Sequence, residues 1–112
     1  MINYYVYPGL ETTPIRSMRR NIIYNILKTV SDEYEIPISE MKSSKRSRDI
    51  VTARQVAMWL LKKHSGETLM RIALIFGQRD HTSVLRGIRQ VNDHCDTEKE
   101  FKERLEKLDR SF

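Results

Sequence analysis

Four consecutive residues, Asp80, His81, Thr82 and Ser83, begin three positions after Gly77 and one after Arg79, and every one of them carries a hydrogen-bonding side chain. Such groups at the start of a helix suit the reading of base edges, because the first residues of the second helix of a helix-turn-helix are the ones that enter a major groove. A carboxylate at Asp80 has two uses there, accepting from a cytosine amino group or capping the helix that follows. Thr82 offers a methyl to thymine and a hydroxyl to a base or phosphate. His81 has no cysteine or histidine at metal-ligand spacing, so contact with a base is the better use of its ring than zinc. Arg79 and, one turn into the helix, Arg86 supply charge for phosphates.

The flanking pattern positions these groups. Leu69, Ile72, Ala73 and Phe76 have the one-face spacing of a helix, with Thr68 as its cap and Gly77 giving the chain freedom to leave it. A second helix from about His81 to Asp93 turns Val84, Leu85, Ile88 and Val91 inward and leaves Arg86, Arg89 and Gln90 outside. Upstream, Thr13-Pro14 reads as a helix start, and Met18, Ile22, Ile23, Ile26, Leu27 and Val30 continue the stripe to about Tyr34, with Ile36-Pro37 as the stop. Residues 37–41 add a short helical turn. Lys42, Lys45, Arg46 and Arg48, interleaved with Ser43, Ser44 and Ser47, then form a basic loop. Thr52-Ala53-Arg54-Gln55 has capping-box spacing, which starts a helix near Ala53. Val56, Ala57, Leu60 and Leu61 face inward from it, and Ser65-Gly66 ends it after His64. Thr97-Glu98-Lys99-Glu100 is a second capping box. It opens a last helix with Phe101, Leu105 and Leu108 inward and Glu98/Lys102, Glu100/Arg104 and Glu103/Lys107 as i, i+4 ion pairs. Trp59, Met58 and Phe76 are assigned to packing.

The expected fold is all-α: a compact helical bundle holding a helix-turn-helix behind a basic loop. Residues 1–13, with Tyr4, Tyr5 and Tyr7, are a tyrosine-rich arm without an assigned role, and residues 14–112 form the domain. A chain of 112 residues with 39% hydrophobic content, three prolines and four glycines suffices for one domain with its own core. The net charge of +5 and a pI near 9.5 favour a polyanionic partner, nucleic acid ahead of a membrane surface. No apolar run approaches membrane-spanning length and no cationic-then-apolar leader is present, which points to a cytoplasmic location. The lone Cys95 forms neither an internal disulfide nor a metal cluster, and His94 beside it points in another direction on a helix. The chain has no glycine-rich phosphate loop of the Gly-x-x-x-x-Gly-Lys-Ser/Thr type. Neither catalysis nor a cofactor, metal or small-molecule substrate is expected.

Several motifs in one order resemble a known family. Arg54-Gln55-Val56-Ala57-Met58, Thr68-Leu69 and the run Phe76-Gly77-Gln78-Arg79-Asp80-His81-Thr82-Ser83-Val84-Leu85 are similar to the signature of the C-terminal DNA-binding domain of the bacterial replication initiator DnaA. The likeness extends from about Asn21 to Val91 and includes Lys45-Arg46-Ser47-Arg48. It implies a Trp-repressor-like all-α domain that recognises duplex origin boxes resembling TTATNCACA.

The resemblance also implies roles for individual residues. Asp80, His81 and Thr82 match positions that touch bases in the major groove, with Ser83 where the family usually has threonine, and Arg46 matches the loop arginine that enters the adjacent minor groove. A cation there meets the enhanced negative potential of a narrow A/T-rich groove. Ser47, Arg54, Gln55, Thr68 and Leu69 match backbone-contacting positions, and Lys45, Arg48, Arg79 and Arg86 are added to them as phosphate-attracting cations. Ala53 and Met70 stand where prolines are common, Thr52 where a cation is common and Gln78 where a second glycine is typical. The partner is double-stranded DNA, with replication proteins as further partners and no membrane. A helical module that binds a replication or regulatory protein is the alternative reading.

Overall fold

The computed structural model describes residues 12–77 and 80–112, with side chains from residue 20 onward. The tyrosine-rich stretch 1–11 and the Gln78-Arg79 pair lie outside it. The described chain forms helices in the order α1 (Thr12–Tyr34), α2 (Ile38–Met41), α3 (Arg48–His64), α4 (Leu69–Ile75), α5 (His81–Thr97) and α6 (Lys99–Asp109), with no strand among the described residues.

At the centre lies α3, packed between α1 and α5. Its Ala53, Val56, Ala57, Leu60 and Leu61 are sealed from solvent and meet Ile26 and Val30 of α1, Ile72, Ala73 and Phe76 around α4, and Val84 and Val91 of α5 in one core. Every helix contributes buried apolar side chains to this centre, which fixes how the terminal helices are hung on it.

Helix ends follow local chemistry in most places. α1 stops at Tyr34 because Glu35 turns left-handed (φ +54°), and Ser31 closes the end by donating its hydroxyl to the Ile36 carbonyl at 2.6 Å. The proline then starts α2 rather than merely ending α1, with Pro37 as its N-cap residue. Thr68 caps α4 as expected, its hydroxyl accepting from the Arg71 N–H at 3.2 Å. Gly66 and Gly77 take φ of +73° and +71°, a region an L side chain enters only with strain.

Four local expectations are corrected. α1 begins at Thr12, two residues before Pro14, so the last two residues of the expected arm are helical. α3 begins at Arg48, with Ser47 as its extended N-cap residue, and Thr52 sits half-buried inside the helix rather than capping it. Ile50 is 7% exposed, so the apolar stripe runs a full turn ahead of Ala53, while Asp49 complements the helix N-terminus. α5 continues to Thr97, whose hydroxyl donates back to the Asp93 carbonyl at 3.1 Å. Glu98, not Thr97, is therefore the N-cap residue of α6, without a side-chain cap bond. Finally, none of the three ion pairs expected along α6 closes among the described residues: Arg104 instead reaches α1, with Nε 2.7 Å from Glu33 Oε2 and its guanidinium over the Tyr34 ring. Burial holds the Tyr34 hydroxyl pKa above its ordinary value, against the opposing pull of Arg104.

At the far end of α6, Asp109 joins Lys63 and His64 of α3, with the His64 ring against Phe112. Burial raises the Asp109 carboxyl, but hydrogen bonds and charge from Lys63 and His64 outweigh it and leave the pKa below the ordinary value. Trp59 packs against the core, as do Met58 and Phe76, and donates its indole N–H to Asn92 Oδ1 at 3.0 Å.

Candidate nucleic-acid interface

The loop between α2 and α3 is built around a buried arginine. Arg54 is only 8% exposed, and from α3 it donates Nε to the Met41 carbonyl at 2.8 Å and Nη2 to the carbonyls of Ser43 and Lys45 at 2.8 and 2.9 Å. These bonds to charged donors are the strong kind, and they gather the loop onto the helix. Ser43 tightens the turn by donating its hydroxyl to the Glu40 carbonyl at 2.6 Å and accepting from the Lys45 N–H at 3.2 Å. Burial lowers the Arg54 pKa, and the nearby Arg46 charge pushes the same way. Arg54 therefore serves this structure as the loop's anchor. Its position three residues ahead of Ala57 and four ahead of Met58 was the available signal, since it shares their buried face.

What the anchored loop presents outward is Arg46. It is exposed and has no carboxylate within 4 Å among the described residues, whereas Lys45 pairs with Glu40 at 3.0 Å. Ser47 is exposed at the mouth of α3.

The amino end of α5 is equally open. Asp80 caps it, with Oδ1 accepting from the Thr82 N–H at 2.9 Å, and that hydrogen bond is the main reason its pKa lies below the ordinary carboxylate value. His81 and Thr82 are exposed, Ser83 is half-buried, and Val84 is sealed in the core behind them. The capping use of Asp80 is thus realised, and its side chain stays exposed beside His81 and Thr82.

Loop and helix border one open cleft of about 500 Å³, lined by Ser44 and Arg46 from the loop, Arg54 and Gln55 from α3, and Ser83, Arg86 and Gly87 from α5. The loop arginine and α5 therefore share one side of the molecule. The other expected positions are more dispersed. Thr68 is exposed but its hydroxyl caps α4, and Leu69 is half-buried against the core. Arg48 lines a separate cleft with Tyr34, His94 and Arg104. Arg79 lies outside the described residues.

Gly87 was not anticipated. A Cβ there would stand 3.2 Å from Met58 Sδ and 3.3 Å from Gln55 Cγ, closer than ordinary packing, so its absence lets α5 lie down on α3. A glycine within a helical pattern was the only signal.

Comparisons with known proteins converge on one group. Residues 23–91 match the family described as the bacterial dnaA protein helix-turn-helix. The chromosomal replication initiator protein DnaA of Oenococcus oeni is 40% identical over 99 residues, 88% of this chain and 22% of that protein. The DnaA of Leptothrix cholodnii is 38% identical over 94 residues, 84% of this chain and 18% of that one. Among solved structures, a DNA replication initiation factor superposes with a TM-score of 0.77 at 28% identity, covering 92% of this chain and 32% of that one. A replication initiator DnaA bound to AMPPCP and single-stranded DNA gives 0.74 at 27% identity, covering 94% and 31%. The chain spans about a fifth of the length of these curated relatives.

Proposed function

The chain belongs to the bacterial DnaA helix-turn-helix family, and from that premise we propose that it binds double-stranded DNA in a sequence-specific way at sites resembling DnaA boxes, in replication initiation or its regulation. The observation that supports the reading is the shared cleft: Arg46, without an ion-pair partner among the described residues, and Ser83 and Arg86 of α5 border one open space, with exposed His81 and Thr82 at the start of the same helix.

Roles divide by chemistry. Asp80, His81, Thr82 and Ser83 supply base contacts in the major groove, and Arg46 enters the minor groove, where a narrow A/T-rich tract concentrates negative potential. Ser47, Gln55, Thr68, Leu69, Arg79 and Arg86 hold the backbone, with Lys45 and Arg48 adding longer-range attraction. Arg54 acts through the loop it anchors. Phosphate contacts provide affinity and salt dependence, and the base contacts provide discrimination. This stretch of chain does its work without nucleotide chemistry of its own, within a bacterial or phage-infected cytoplasm.

The decisive experiment titrates duplexes with and without such a box at several salt concentrations. Preference for the boxed duplex that persists as salt rises is the expected result. Equal affinity for both rejects sequence reading, and capture of a replication protein with no duplex binding at all favours a protein-interaction module instead.

A further inference from the structure

Three arginines line the cleft between the basic loop and α5: Arg54, whose guanidinium is spent on loop carbonyls, and Arg46 and Arg86, neither of which has a carboxylate within 4 Å among the described residues. Among the described residues no aspartate or glutamate contributes to the lining, and the polar remainder, Ser44, Ser83 and Gln55, consists of neutral groups able to donate hydrogen bonds. Two guanidinium groups facing one space repel each other unless an anion or water lies between them. When the loop reaches into one groove and α5 into the next, the sugar-phosphate strand dividing those grooves must run through this gap.

We propose that the cleft is a clamp for a single phosphodiester of that dividing strand, closed from the α5 side by Arg86 and held to its width by Gly87. The inference rests on the duplex-reading proposal and deepens it by assigning one ligand group to one place. Arg86 stands one turn beyond Thr82. Its guanidinium meets the strand between the grooves while Thr82 faces the bases, so the clamp sets the depth and register of the reading turn. Gly87 belongs to the same device: a side chain there would press on Gln55 and Met58, lifting α5 or driving Gln55 into the gap.

The test uses the full chain and boxed duplexes in which one phosphodiester at a time is replaced by an uncharged methylphosphonate. Wild-type protein should lose about tenfold in affinity at one position, or two adjacent ones, on the strand between the grooves. Arg86→Ala should bind every duplex about tenfold more weakly, lose its response at that position alone, and show a salt slope shallower by about one. Arg86→Lys should recover part of the affinity as a point charge. A methylphosphonate profile shared by wild type and Arg86→Ala overturns the clamp. So does an Arg86→Ala loss confined to duplexes carrying one particular base pair, which makes Arg86 a base reader. If wild type fails to distinguish boxed from unboxed duplexes, the duplex-reading proposal itself falls, which separates the two failures.

Discussion

Replacing Arg54 by alanine should damage both the fold and the interface, by separable amounts. Its three hydrogen bonds go to the carbonyls of Met41, Ser43 and Lys45. Met41 is sealed from solvent, whereas Ser43 is half-buried and Lys45 exposed. Water can therefore take over at two of the acceptors, and the lasting penalty comes from the first. Leaving one buried carbonyl without a donor costs about 1–3 kcal/mol, and losing the packed arginine stem adds about 1 kcal/mol. Arg54→Ala should be destabilised by about 2–4 kcal/mol in urea unfolding, a large share of the 5–15 kcal/mol typical of a domain. The second effect is on recognition: a loop no longer held must be ordered on binding, at about 1–2 kcal/mol per residue fixed. A duplex titration at a temperature where the variant is folded should show at least a tenfold loss on the boxed site. Because Arg54 acts through Arg46, the double variant with Arg46→Ala should bind no more weakly than Arg54→Ala alone by a clear margin. Strictly additive losses, or unfolding within about 0.5 kcal/mol of wild type, would refute the anchor argument.

Thr82→Ala and His81→Ala should each cost about 1–3 kcal/mol on the boxed duplex and little elsewhere, whereas Lys45→Ala should weaken all duplexes alike, as a salt-dependent titration series would reveal. Asp109 titrates below its ordinary value in the folded chain, so the unfolded chain takes up its proton first. Its contribution to stability should be complete near neutrality and vanish as pH falls below about 4. Asp109→Asn should flatten that acid limb in thermal melts followed from pH 7 downward. Phe76→Ala, at a residue 1% exposed behind the turn, should lose about 3–5 kcal/mol in denaturant unfolding. Gly87→Ala sets a helix-propensity gain of about 1 kcal/mol against close contacts to flexible side chains. Its melting point should stay near wild type while boxed-duplex affinity falls; unchanged affinity would show that the gap tolerates a methyl.

The turn and the start of α5 were legible in the linear chain because each depends on partners a few residues away. Thr68 needs only the Arg71 N–H, Asp80 only the Thr82 N–H, and Gly77 only its own backbone freedom. The apolar stripes likewise named Val56, Ala57, Leu60 and Leu61 as core before any packing was known. Cap rules failed where a neighbouring helix had a stronger claim: burial of Ile50 carried α3 back to Arg48 past the threonine that local chemistry favoured, and Arg104 left its own helix for Glu33, 71 residues away. The resemblance gave Arg54 a DNA-backbone position, and only the fold set three carbonyls around it, while the approach of α5 to α3 gave Gly87 a purpose. Backbone capping and helical periodicity act over three or four positions, so neighbouring residue types specify them. Which charge is buried, and which two surfaces enclose a gap, depends on groups far apart in the chain competing for one volume, and that competition is resolved only when the helices pack.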